Sequence, residues 1–133
     1  MRAILIDPFA CEARHVHLSE DPDEWKRLAD WYAILSHETM SVNALDHVVL
    51  PGRNVLIVDE YGLVRHPPVQ RWFRLIGLHH EMLAGKGLLV GARPDGVERE
   101  PSIRIDTVRA SVVYFELIGI GGYMRETVRP WKE

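Results

Sequence analysis

Apolar and polar positions change rhythm several times along this chain, and each rhythm predicts an element. The run Arg2–Asp7 is apolar until Asp7-Pro8 stops it, which reads as a buried first strand and a turn. Glu12–Leu18 reads as a second strand, giving a hairpin-like opening pair. Asp21-Pro22-Asp23-Glu24 then supplies an N-cap, a proline at the first helical position and a glutamate in capping-box register. Trp25, Leu28, Ala29, Tyr32 and Leu35 follow at helical spacing, so residues 22–36 are predicted to form an amphipathic helix laid on a sheet. Trp31 and Ile34 fall off that face and suggest a second contact surface.

Beyond the helix the pattern turns to strands. Leu45–Leu50 and Val55–Asp59, joined by Pro51-Gly52-Arg53-Asn54, predict an antiparallel pair, and a short strand is expected at Leu63–Arg65 after the Asp59-Glu60-Tyr61-Gly62 turn. Pro67-Pro68 excludes a central strand there. Trp72–Leu75 and Leu88–Val90 read as strands, with a short helical turn over Leu78–Ala84 between them, and Ser111–Leu117 is the most β-prone run of all. The expected fold is therefore α+β: a largely antiparallel sheet with one main amphipathic helix, about 22–36, packed on it. One domain is expected over residues 1–118, with a C-terminal tail, 119–133, ordered only in an assembly.

Composition narrows the class. The chain has 133 residues, 47% hydrophobic and 26% charged, which suits one soluble globule. The apolar start is too short for a signal peptide, and no window approaches a transmembrane length, so the expected location is cytoplasmic. A lone cysteine, Cys11, excludes an internal disulfide.

The net charge is −3 but unevenly spread. Residues 1–64 carry five Lys/Arg against eleven Asp/Glu, residues 65–93 five against one, and residues 94–133 six against seven. So mild an acidity argues against nonspecific duplex nucleic acid as a partner, whereas the basic segment 65–93 suits a small anion. Within it, Arg71, Trp72, Arg74, Lys86 and Arg93 combine cations with a flat ring, the chemistry a nucleotide-like ligand needs. On a strand, Arg71 and Phe73 would share one face, with Trp72 and Arg74 on the other.

Glycine-loop motifs are missing. A phosphate loop ending in Gly85-Lys86 needs glycine where His80 stands and Ser or Thr where Gly87 stands, and the dinucleotide pattern needs glycine at Val90. Gly85 is instead expected to cap the short helical turn, and Gly87 to let the chain reverse. Among seven histidines, Cys11, His15 and His17 share a strand parity that makes them the one candidate metal group, though their spacing matches no standard zinc pattern. No nucleophile elbow or other catalytic residue is identified, and no cofactor is implied.

The runs Val55–Leu63, Trp72-Phe73-Arg74, Leu83-Ala84-Gly85-Lys86-Gly87 and Leu88–Gly91 resemble a family of small phage and prophage proteins catalogued only as a domain of unknown function. The likeness covers roughly residues 1–97. It implies a phage-type accessory protein with no assigned activity. The charge asymmetry and the rings interleaved in residues 65–93 make the leading expectation a non-enzymatic binding protein, a homo-oligomer, contacting an anionic or nucleotide-like ligand. A protein–protein interaction module, for example an inhibitor of a host defence system, is the alternative, and a small metal-dependent hydrolase the remaining one.

Overall fold

The computed structural model describes residues 1–119 and 122–127. Ten strands and two helices follow in the order β1 (Arg2–Asp7), β2 (Glu12–His17), α1 (Glu24–Leu35), β3 (Leu45–Leu50), β4 (Asn54–Asp59), β5 (Arg71–Leu75), β6 (Leu83–Ala84), β7 (Gly87–Ala92), β8 (Glu98–Arg99), α2 (Ile105–Ser111), β9 (Val112–Ile118) and β10 (Tyr123–Glu126). They make two antiparallel sheets. Sheet I has the order β2-β1-β7-β4-β3, with β8 added to β7, and sheet II the order β10-β9-β5-β6.

Strand occupies 42% of the described residues and helix 15%, so the protein is mostly β and the expected α+β fold with one main helix on a sheet is corrected. The physical reason lies in what covers the central strands. One face of sheet I, carrying Ile4, Ile6, Leu56, Val58 and Leu89, packs against Phe73, Leu75 and Tyr114 of sheet II. A second sheet therefore supplies the larger cover. The opposite face, with Ala3, Leu5, Ile57, Leu88 and Val90, meets only Trp31 and Leu35 as buried residues of α1.

Several local expectations shift with it. The helix begins two residues later than expected: Asp23, not Asp21, is the N-cap and accepts from the Trp25 amide, while Asp21 accepts from the Asp23 amide. Its inward face is also rotated. Trp25 is 78% exposed, whereas Trp31 is buried and Ile34 packs beside it, so the expected second contact surface belongs to the core. No strand forms over Leu63–Arg65, where Leu63 and Val64 lie in a turn, and no helix forms over Leu78–Ala84. Gly85 does need its positive φ of 76°, but after strand β6 rather than at a helix end. Gly87 is required by space: a Cβ there would lie 2.6 Å from the Phe73 ring. Ser111 closes α2, an element the sequence pattern did not reveal. Of the expected tail, Tyr123–Glu126 pairs with β9, and residues 120, 121 and 128–133 lie outside the described residues.

Candidate functional site: a loop-built cleft beside sheet I

Three loops meet at one cleft of 310 Å³, lined by Phe9, residues 37–40 and residues 65–70. Phe9 sits in the β1–β2 turn, where the buried Asp7 carboxylate accepts from the Phe9 and Ala10 amides at 3.0 and 3.2 Å. That Asx-type turn aims the ring at His37, and the two stack with centroids 3.8 Å apart and planes 12° from parallel.

The wall that carries His37 is held at both ends. After α1, Ser36 donates to the Tyr32 carbonyl and its Oγ accepts from the Val42 amide at 2.9 Å, closing the loop on itself. His37 and Met40 exchange two backbone hydrogen bonds, which forces Glu38 to a φ of 48°. A glutamate in left-handed backbone is strained by the order of 1 kcal/mol. Lys86 Nζ donates to the Ser36 carbonyl at 3.0 Å and the Ile34 carbonyl at 3.4 Å, placing a cation at an α1 C-terminus that has no basic residue of its own. At the far end, Arg65 donates to the Ser41 carbonyl at 2.7 Å and pairs through Nε with the buried Asp59 carboxylate. Gln70 Nε2 donates to the Pro68 carbonyl, bracing the second wall.

The basic residues singled out from sequence are dispersed. Arg71 points to the inner side of sheet II and meets Glu116 at 3.0 Å. Trp72 and Arg74 lie on the other side of that sheet, as alternation required, and Trp72 Nε1 donates to the Val69 carbonyl. Lys86 and Arg93 stand at opposite ends of β7, roughly 23 Å apart at the usual rise per residue, and Arg93 pairs with Asp95 in its own turn at 3.1 Å. One small anion cannot touch all five. Of the metal candidates, Cys11 is buried in the core with a φ of 51°, while His15 and His17 are exposed on β2. Among the described residues no three His, Cys, Asp or Glu side chains are placed to share an ion.

One titration shift stands out. Glu116 accepts from Arg125 and also faces Arg71, and the Arg125 hydrogen bond above all holds its carboxyl below the ordinary glutamate value. These charges build sheet II and lie outside the cleft.

The fold and cleft define a small two-sheet β protein with a loop-lined cleft. No family model matches the chain, and neither does any curated protein or solved structure. No helix among the described residues is long and apolar enough to cross a membrane. Phe9, His37 and His66 escaped the sequence reading because each stands alone in its own loop. The available signal was turn chemistry, Asp7-Pro8 and Pro67-Pro68, bracketing aromatic or basic residues.

Proposed function

We propose that the protein is a non-enzymatic binding protein that takes a small, flat-ringed ligand, nucleotide-like in that respect, in the cleft between residues 37–40 and 65–70. The observation that carries the reading is the Phe9–His37 stack held in a cleft of 310 Å³, a volume suited to a small molecule. A flat ring adds to that stack through dispersion and quadrupole complementarity. Arg65 belongs to the basic segment 65–93, but Asp59 already neutralises it, so ring stacking and neutral hydrogen bonds dominate recognition. Any phosphate sits toward the exposed His66 at the mouth. The phage-type accessory character and a host cytoplasmic location rest on the sequence resemblance alone.

Calorimetric titration with nucleosides and with linear and cyclic nucleotides tests this. Binding by at least one, lost in Phe9→Ala and His37→Ala, is expected; a folded protein that takes up none of them refutes it. A protein–protein role is the second reading, supported by the turn that exposes Leu63 and Val64 at 78% and 75%. Its test is whether Leu63→Ser with Val64→Ser abolishes retention of a stoichiometric partner.

A further inference from the structure

We infer that the outer face of sheet II is the contact surface of a symmetric homodimer. Strand β9 reads Val112-Val113-Tyr114-Phe115-Glu116-Leu117-Ile118, apolar at both parities like the doubly covered strands of sheet I. Among the described residues, only one parity of β9 belongs to a core cluster. Val112 and Tyr114 face the core, whereas Val113, Phe115 and Leu117 project from the other side, together with Trp72 of β5 and Met124 of β10, all partly exposed. None of these five belongs to either core cluster. Helix α2, which touches β5, turns its buried Val108 into the core on the opposite side.

Charge identifies the occupant as a second copy. Among the described strand residues the face carries one cation and one anion: Arg74 on β5, in register with Val113, and Glu126 on β10, in register with Phe115. Arg74 Nε is buried and has no hydrogen-bond partner among the described residues. Because β9 lies between β5 and β10, a two-fold axis along β9 sets β5 of one copy over β10 of the other. Arg74 then meets the partner's Glu126, offset by about 7 Å along the strand, which an extended arginine spans. The symmetry makes this pair twice, while Trp72, Phe115 and Leu117 fill the space around the axis. Four strands at about 4.8 Å spacing, the longest of them the seven-residue β9, make a face of roughly 19 by 23 Å, on the order of 400 Å², small beside the roughly 800 Å² per partner of standard interfaces. The dimer is therefore concentration-dependent.

Sedimentation velocity of the full chain from micromolar to several hundred micromolar should show a monomer–dimer equilibrium. Arg74→Glu and Glu126→Arg should each weaken it about tenfold or more, and the double exchange should restore it. A Leu117→Cys variant supplies a second measurement: a short bis-maleimide should join it to its own copy, since β9 lies on the axis and Cys11 is buried. The inference is overturned if the wild type stays monomeric throughout, if the single exchanges leave dimerisation unchanged, or if the double exchange fails to rescue it.

Discussion

Sheets I and II are both antiparallel, yet among the described residues only the central strands of sheet I are buried on both faces. Neighbouring residues of its central strands, Ile4 and Leu5, Leu56 and Ile57, Leu88 and Leu89, are each at most 1% exposed, so both parities are buried. In sheet II, Phe73 is fully buried while Trp72 and Arg74 on either side of it stay partly open. The two sheets therefore divide the work: sheet I carries stability and anchors the cleft loops, and sheet II pairs a core-facing side with a partly exposed one.

The sharpest way to break this comparison is to truncate matched residues on the two sides of sheet II. Phe73→Ala should cost about 3–5 kcal/mol, because it opens a cavity between the sheets. Phe115→Ala, one pair over but on the outer side, should cost about 1 kcal/mol or less in dilute monomer, where solvent already reaches it. Urea denaturation of both variants measures the difference, and equal losses would show that the outer face is covered too.

Next in size is Gly87→Ala, which probes how closely sheet I approaches sheet II. The added methyl meets the Phe73 ring at 2.6 Å and Leu56 Cδ1 at 2.9 Å, so one of them must move. A loss of about 1–3 kcal/mol in the same assay is expected. An unchanged midpoint would mean the interface between the sheets yields without cost.

A smaller effect separates the cleft from the core. Lys86→Met removes the cation at the α1 C-terminus and the anchor of Ser36 while keeping the chain length. A loss of about 1 kcal/mol is expected, together with weaker uptake of any cleft ligand, because the His37 wall is released. Full stability with full binding would remove Lys86 from any positioning role.

How much of this was legible follows the same division. The central strands of sheet I, β1, β4 and β7, are near-continuous apolar runs between turn signals, and the opening hairpin and the β3–β4 pair formed where the pattern placed them. The second sheet was not legible as separate, because strand periodicity says which residues share a face but not which sheet they join. The α1 face failed for a related reason. Trp25 has the right spacing, but it sits in the first turn, beyond the reach of sheet I, and Trp31 is buried instead. In the basic segment alternation correctly separated Arg71 from Arg74, yet the acceptors that occupy its cations, the Ser36 carbonyl, Glu116 and Asp95, lie on other elements or in the residue's own turn. The cleft was least legible, since its rings come from loops that only the folded sheets bring together.

The smallest predicted effect concerns the charges at the inner end of sheet II. Glu116 is flanked by Arg71 and Arg125, and its folded-state pKa lies below the ordinary 4.5. A depressed carboxyl stabilises the fold fully above its unfolded value and loses that contribution as pH falls through the folded value. Glu116→Gln should therefore be slightly less stable than the wild type at neutral pH, and the gap should close below about pH 4. The side chain is 21% exposed and Arg125 64%, so screening limits the neutral-pH gap to less than about 1 kcal/mol. Urea midpoints of both proteins between pH 3 and pH 7 decide it. A gap that stays constant with pH would show that Glu116 holds β5, β9 and β10 together by packing rather than by charge.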